Sequence, residues 1–281
     1  MMKRSSILIV FLIFYLCAQS QDKNSEFPLG SKQESKNKIA ALSTLIVPDE
    51  TSDFENNSQF EPFAVIELFT SQGCSSCPAA DRLLSQTIAE AEKNGNKIFA
   101  LSFHVDYWNR LGWTDPFSDK KYSRRQQNYV TQMNLSSAYT PQMIVNGSSE
   151  FVGSNKVALE KALVKSLNEK PITGFKTLSA YTQMNNPLCI KYELEGSYSG
   201  CKINFALVSL KETTSVKRGE NIGHDLKSEN VVRQFISLDA AANGEMKFEI
   251  SPEPPLNNLA VIAYIQQSDL KIIGAAMTEI K

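Results

Sequence analysis

Two cysteines separated by two residues stand where a strand pattern gives way to a helix pattern, and this junction constrains the fold more than any other feature. Residues 64–70 form a largely apolar run of strand length. Residues 78–93 carry apolar side chains at helical spacing and end at an Asn-Gly pair. Cys74 and Cys77 lie between the two patterns, and Pro78 suits the first turn of a helix. The sequence therefore predicts a dithiol at the N-terminus of a helix that follows a strand.

The alternation of strands and helices continues to about residue 170. Further strands are predicted at 98–105, 142–145 and 151–152, and further helices at 115–134 and 157–167. Beyond Lys170-Pro171 the predicted elements are all short strands, at 174–181, 188–194, 203–210, 247–250, 259–265 and 272–277. We therefore expect an α/β domain followed by a smaller, β-rich domain that resembles a sandwich.

The N-terminus has the features of a secretory signal peptide. Two basic residues precede an apolar run at 7–16, and Ala18-Gln19-Ser20 places small side chains at a cleavage site. The apolar run is shorter than the roughly 20 residues of a membrane helix, so we expect no stable membrane span once residues 1–20 are removed. Cys17 leaves a lipoprotein alternative, although the large Leu16 before it disfavours lipid attachment.

The rest of the chain divides into three predicted parts: a flexible polar tether at 21–60, the α/β domain at 61–170 and the β-rich domain at 171–281. The whole chain has 29 Lys and Arg against 30 Asp and Glu, a net charge of −1. That balance argues against a protein that binds nucleic acid through a basic surface, and we expect no nucleic-acid partner. With its signal peptide, the sequence predicts a periplasmic or secreted protein in an oxidising compartment.

The position of the dithiol favours redox chemistry. A helix N-terminus offers unpaired N–H groups and a partial positive charge, which stabilise a thiolate. We expect Cys74, nearer the solvent, to attack with a lowered pKa, and Cys77 to be the buried thiol that resolves the mixed disulfide. An inert structural disulfide is the first alternative. A zinc site is the second, but Cys189 and Cys201 are too far apart in sequence for the usual spacing of zinc ligands.

Two further residues are candidates for a role in catalysis. Pro141 follows Thr140 just before a predicted strand, where we expect a cis peptide bond in a loop that faces the dithiol and docks the substrate backbone. Glu67 interrupts an apolar strand seven positions before Cys74, and a buried carboxyl there could accept the proton of the resolving thiol. The alternative is that Glu67 faces solvent or forms an ion pair, for example with Arg82.

The segment after the second strand supplies candidate loop residues. His104 could bind copper together with Cys74 and Cys77, but we favour a hydrogen bond from His104 to Asp106 or to the backbone that orients the loop. Tyr107 and Trp108, with Trp113, form either an apolar wall for the substrate or the packing of the loop itself.

A charged segment, RGEN at 218–221, lies in a predicted loop of the β-rich domain. Its side chains either reach the dithiol or form a solvated turn. We favour a role at the interface between the domains over a role in catalysis.

Several of these segments together resemble one family. They read ELFTSQGCSSCPAAD at 67–81, HVDYWNRLGWTDPF at 104–117 and YTPQMIVNG at 139–147, with RGEN at 218–221 and NVVR at 230–233. The chain resembles, over about 62–281, the secreted thioredoxin-like family catalogued as domain of unknown function 1223. The resemblance implies a thioredoxin-like domain followed by a β-rich one. The chain departs from thioredoxin itself at Gly73, where thioredoxin has an aromatic residue, and at Ser75-Ser76, which replace Gly-Pro.

The sequence thus predicts an exported thiol–disulfide oxidoreductase with no cofactor other than the redox-active Cys74–Cys77 disulfide. Its partners would be the thiols or disulfides of proteins or small molecules. One alternative is a copper-handling or other metal-handling protein, and another is a non-catalytic binding module with a structural disulfide. We also expect Cys189 and Cys201 to remain unbridged, because a hairpin turn centred on Tyr198 would offset them by about 20 Å.

Overall fold

The computed structural model describes residues 60–182 and 187–280. The predicted signal peptide and the tether up to residue 59 lie outside the described residues. Within them the helices are α1 (Cys77–Asn94), α2 (Lys120–Gln132) and α3 (Lys156–Asn168). The strands are β1 (Ala64–Thr70), β2 (Ile98–His104), β3 (Gln142–Val145), β4 (Ser149–Val152), β5 (Thr173–Thr182), β6 (Leu188–Gly196), β7 (Lys202–Ser215), β8 (Asp225–Asp239), β9 (Asn243–Phe248), β10 (Leu259–Gln266) and β11 (Ile272–Glu279). None of the helices just named is long and apolar enough to cross a membrane.

β1 is the strand that positions the dithiol. It pairs in parallel with β2 and antiparallel with β3, which in turn pairs with β4. Its side chains alternate between the two faces of the sheet. Ile66 and Leu68 pack against α1 and α3, whereas Val65 and Phe69 pack on the face that α2 covers. Because both faces are covered, β1 is completely buried, and its carboxyl end leads directly into α1.

The ends of the helices follow their capping residues. α1 begins at Cys77 and ends at Gly95, which has a left-handed φ of 70°, as the Asn-Gly signal predicts. α2 begins at Lys120 rather than at the predicted residue 115. The reason is that Asp119 caps the helix by accepting a hydrogen bond from the Lys121 backbone N–H, while Asp115 uses its carboxylate elsewhere.

The β-rich half forms two layers, as the run of short strands predicts. β5, β6 and β9 make a three-stranded antiparallel sheet. Its apolar face packs against β7 and β10, with Ile190 and Phe248 on one side of the interface and Phe205 and Val261 on the other. These two layers give the sandwich-like packing expected of this half.

β8 is a strand of 15 residues that the sequence pattern did not predict. Its first half is polar and shows no clear alternation, so it resembles a loop. In the structure β8 pairs antiparallel with β7 and, through Val231, in parallel with Ser102 of β2. The result is one eight-stranded sheet, ordered β11-β10-β7-β8-β2-β1-β3-β4, that contains strands from both sides of the predicted boundary at residues 170 and 171. The protein is therefore a mixed α/β, strand-rich fold built on a large shared sheet.

Cys189 and Cys201 are both free and buried, which confirms the expectation that they are unbridged. The expected reason was wrong, however. β6 and β7 do not form a hairpin: β6 belongs to the three-stranded sheet, whereas β7 pairs with β8 and β10 in the large one. Each cysteine packs as a small apolar side chain.

Candidate functional site

Cys74 and Cys77 form a disulfide at the N-terminal end of α1, with their Cα atoms 5.4 Å apart. The loop between β1 and α1, residues 71–77, is called the dithiol segment below. It is held by turn hydrogen bonds from the Cys74 N–H to the Ser71 carbonyl and from the Cys77 N–H to the Cys74 carbonyl, each 3.2 Å. Both cysteines are fully buried. The expectation that Cys74 lies near solvent is therefore wrong for the disulfide form.

A loop from the β-rich half lies against the dithiol segment. This cover loop, residues 216–224, joins β7 to β8. The Asn221 side-chain amide donates to the backbone carbonyls of Gln72 (2.9 Å) and Cys74 (3.0 Å), and Asn221 is itself buried. The Ser75 N–H donates to the Glu220 carboxylate at 2.9 Å. Of the two interpretations of the RGEN segment, contact with the dithiol is the one observed.

Both tryptophans contact the dithiol segment. Trp108 lies against Gly73, where an added Cβ would come within 3.2 Å of the Trp108 Cβ, so a side chain at this position would require Trp108 to shift by a few tenths of an ångström. The Trp113 indole N–H donates to the Gln72 side-chain carbonyl at 3.1 Å. The Tyr107 hydroxyl donates to Gln126 of α2 and also lies beside the Thr140 side chain.

The Thr140-Pro141 peptide bond is cis, which confirms the prediction. The Trp108 indole N–H donates to the Thr140 hydroxyl at 2.7 Å, which ties this loop to the side chain that packs on the dithiol segment. On its other side Pro141 accepts a hydrogen bond from the Gly153 N–H at 2.9 Å. Gly153 also lies against Ala80 of α1, so Pro141 sits beside the first turns of the helix that carries Cys77.

A buried polar cluster lies next to the dithiol segment. His104 Nδ1 donates to Asp115 Oδ2 at 2.7 Å, and the same oxygen accepts the Gln72 backbone N–H at 2.8 Å. The partner of His104 is thus Asp115 and not Asp106, which binds Ser123 instead. Burial disfavours the charged imidazole, but the carboxylates of Asp115 and Asp81 outweigh that effect and raise the pKa of His104.

Asp81 belongs to the same cluster, and the sequence reasoning missed it. It lies on α1 four residues after Cys77, is buried, and accepts a long hydrogen bond of 3.4 Å from the Thr70 hydroxyl. Burial raises the pKa of Asp81 to about 6, although the positive charge on His104 opposes the shift. The signal was available: Asp81 occupies the apolar face of α1, between Cys77 and Leu84, where a core side chain is expected.

Glu67 lies on the other face of β1, away from α1. Its Oε1 atom forms a 2.7 Å ion pair with Arg125 of α2 and accepts a 2.6 Å hydrogen bond from the Tyr264 hydroxyl. The structure therefore shows the ion-pair alternative for Glu67, with Arg125 in place of Arg82. The residues that pack with α1 are its neighbours Ile66 and Leu68.

No group of three or more His, Cys, Asp or Glu side chains within 60–182 and 187–280 is arranged to hold a metal ion. The sulfurs of Cys74 and Cys77 bond to each other, and His104 Nδ1 is engaged by Asp115.

Comparison with known proteins confirms the family. The chain belongs to the family described as protein of unknown function (DUF1223), which it matches over residues 65–266. A protein from Agrobacterium tumefaciens, known from its crystal structure, has 25% sequence identity and a TM-score of 0.59 over 78% of this chain and 95% of that one. A domain of the outer membrane lipoprotein Omp28 from Porphyromonas gingivalis has 7% identity and a TM-score of 0.25 over 39% of this chain and 96% of that one. No curated protein matches the chain.

Proposed function

We propose that this protein is a thiol–disulfide oxidoreductase in which Cys74 and Cys77 alternate between a dithiol and a disulfide. The observation that carries this function is the disulfide itself, which links Cys77, the first residue of α1, to Cys74 in the loop just before the helix. The free N–H groups of that first helical turn favour a thiolate. A site of this kind needs no further cofactor.

The arrangement of the first half supports a thioredoxin-like domain. β1 lies between the parallel β2 and the antiparallel β3, and β4 extends the sheet beyond β3. α1 and α3 cover one face and α2 covers the other. In this arrangement the dithiol follows the central strand, and the Thr140-Pro141 loop leads into the strand beside it.

In the proposed reaction the Cys74 thiolate attacks a substrate disulfide, and Cys77 then attacks the mixed disulfide. We propose that the Thr140-Pro141 loop holds the substrate backbone, since Trp108 contacts both Thr140 and Gly73 of the dithiol segment. Both cysteines are buried in the disulfide form, so we propose that the cover loop, which is hydrogen-bonded to the Cys74 carbonyl, moves when a substrate reaches Cys74. The proposed partners are thiols or disulfides of proteins or small molecules.

An exported location fits this chemistry. A stable disulfide forms where the surroundings are oxidising, and the first 20 residues have the charge, apolar run and small residues of a secretory signal. We therefore place the working protein in the periplasm or outside the cell.

Catalysed reduction of insulin by dithiothreitol tests the function, with Cys74→Ser, Cys77→Ser and, as a matched control, Cys189→Ala. The wild type and the control should accelerate reduction. Cys74→Ser should be inactive, and Cys77→Ser should accumulate a mixed disulfide that mass spectrometry detects. No acceleration by the wild type, together with no trapped adduct in Cys77→Ser, would assign the disulfide a structural role in a binding module instead.

A further inference from the structure

Three buried polar atoms in or beside the dithiol segment have no hydrogen-bond partner among the described residues. They are Gln72 Nε2, Asp81 Oδ1 and His104 Nε2, and the last two belong to titratable side chains. Asp81 is 9% exposed and His104 is 1% exposed, so neither side chain is hydrated by bulk water. An unpaired buried polar group costs about 1–3 kcal/mol, and more when it is charged. A carboxyl kept under these conditions calls for a function other than stability.

The position of Asp81 points to Cys77. The two residues are four positions apart in α1, so their side chains are neighbours on one helix face, with Cβ atoms roughly 5–6 Å apart. That face is buried, and both side chains are on it. Among neighbouring cations, His104 has the largest electrostatic effect on Asp81. Its charge lowers the pKa of Asp81, and the Asp81 charge raises the pKa of His104.

We propose that Asp81 accepts the proton of the Cys77 thiol during resolution of the mixed disulfide and returns it to the departing substrate thiolate, with His104 as its charge partner. This role rests on the oxidoreductase function proposed above. It deepens that function by assigning the proton acceptor of the resolving thiol.

The reaction balances as follows in the direction of substrate reduction. The Cys74 thiolate attacks one sulfur of the substrate disulfide, and the first substrate thiolate leaves. Cys77 then gives its proton to the Asp81 carboxylate, and its sulfur attacks the Cys74 sulfur. This forms the Cys74–Cys77 disulfide and expels the second substrate thiolate, which takes the proton from Asp81. The substrate gains two electrons and the protein dithiol loses two.

Asp81 suits this role better than Glu67 does. Arg125 and Tyr264 both contact Glu67 Oε1, and although Glu67 Oε2 has no partner among the described residues, Glu67 lies on the face of β1 that α2 covers, whereas Asp81 is on α1 itself. A carboxyl with a pKa of about 6 is ionised at neutral pH and still basic enough to take a proton from a thiol for a short time. Thr70 supplies its only described hydrogen bond, so one oxygen stays available.

Stopped-flow reaction of the reduced protein with 5,5′-dithiobis(2-nitrobenzoate) separates the two sulfur steps. The first nitrothiobenzoate is released when Cys74 attacks, and the second when Cys77 resolves the adduct; Cys77→Ser, which lacks the second phase, assigns them. In the wild type the rate of the second phase should rise with pH around a midpoint near 6. In Asp81→Asn that phase should be at least about tenfold slower at pH 7 and should depend on the ionisation of the thiol, near pH 8.5 or above.

Asp239→Asn, which removes an exposed carboxylate that pairs with Lys202, is the matched control and should leave both phases unchanged. A folded Asp81→Asn variant with a second phase of wild-type rate and midpoint would overturn the proposal. If that variant does not fold, His104→Asn is the second test. Because this variant lacks the imidazolium, the midpoint of its second phase should lie at higher pH than that of the wild type. An unchanged midpoint would also overturn the proposal. The aromatic disulfide is an artificial probe, so a dependence on Asp81 can hold even where insulin reduction fails.

Discussion

Asp81 binds its proton more tightly in the folded protein than in the unfolded chain, because burial raises the pKa of its carboxyl from an ordinary 3.8 to about 6. A carboxyl whose pKa is higher in the folded than in the unfolded state lowers the stability of the fold as the pH rises from the unfolded to the folded pKa. The reason is that the folded state must then hold a buried charge. The difference between the two pKa values corresponds to about 3 kcal/mol of free energy.

We therefore expect Asp81→Asn to gain stability relative to the wild type between pH 4 and pH 7.5. In the folded state at pH 4 the carboxyl and the amide are both mostly neutral, whereas in the folded state at pH 7.5 only the wild type carries a buried charge at this position. Urea denaturation of the two disulfide-bonded proteins at both pH values measures the change, which should favour Asn by up to about 3 kcal/mol. A difference in unfolding free energy that is the same at both pH values would contradict the pKa shift.

The ion pair between Glu67 and Arg125 is the second residue-scale test. Arg125 also stacks over four aromatic rings, at 4.7–5.6 Å from their centres. Removal of Arg125 alone leaves the buried Glu67 carboxylate without its positively charged partner. We expect Arg125→Met to lose about 3–5 kcal/mol of unfolding free energy, and Glu67→Gln together with Arg125→Met to recover much of that loss. Urea denaturation measures both. Glu67→Gln alone is measured in the same way. If the double variant lost as much unfolding free energy as the two single variants lose together, the two charges would not interact.

These two carboxylates also show what the sequence could predict about the site. An acid in an apolar strand and an acid on the apolar face of a helix are equally visible in the sequence, and only the first was noticed. Which of them adjoins the dithiol depends on the face of β1 against which α1 packs. The packing of these layers depends on contacts between residues far apart in the sequence, and local patterns do not reveal it. Glu67 and its partner Tyr264, for example, are 197 positions apart.

At the scale of elements, the cover loop should affect the rate at which the Cys74–Cys77 disulfide is reduced. Asn221 makes two hydrogen bonds to the dithiol segment, and each is worth about 0.5–1.5 kcal/mol. We expect Asn221→Ala to speed reduction of the Cys74–Cys77 disulfide by a phosphine reductant by about tenfold, because the loop opens more often.

Asn258→Ala provides the control for that measurement. Asn258 also makes two hydrogen bonds to backbone atoms, but both are to Lys211 and involve no residue of the dithiol segment. The reduction rate of this variant, followed by thiol release, should match the wild type. Equal rates in all three proteins would mean that Asn221 does not limit access to the sulfur atoms.

The elements that the sequence predicted well are those whose patterns are local. β1, α1 and the turn at Asn146 and Gly147, both with positive φ, depend on side-chain period and on residues that suit a cap or a turn. β8 could not be predicted in this way, because its strand conformation is imposed by β7 and β2 on either side rather than by its own polar sequence.

At the scale of the whole molecule, the two halves share hydrogen bonds across the large sheet. The Ser102 hydroxyl of β2 donates to the Glu229 carbonyl of β8 at 2.8 Å, across 127 positions of the chain. Tyr122 of α2 likewise donates to the Val232 carbonyl. Without β8, β2 would present an unpaired edge, and the apolar face under α2 would lose part of its cover.

We therefore expect a fragment of residues 60–170 alone either to aggregate or to unfold at a much lower temperature than when it is mixed with a fragment of residues 171–281. Circular dichroism and size-exclusion chromatography compare the fragment, the mixture and the chain 60–281. A fragment that is monomeric and unfolds cooperatively at the same temperature as the longer chain would show that the first half does not depend on the shared sheet.

The placement of Trp108 and Trp113 has a consequence for measurement. They are the only two tryptophans in the chain, and both touch the dithiol segment, one beside Gly73 and the other at Gln72. A nearby disulfide quenches indole emission by accepting an electron from the excited ring, and a dithiol does so less. The protein thus carries an intrinsic optical reporter of its own oxidation state. Emission that brightens on reduction, followed across dithiothreitol redox buffers, would yield the reduction potential without any label.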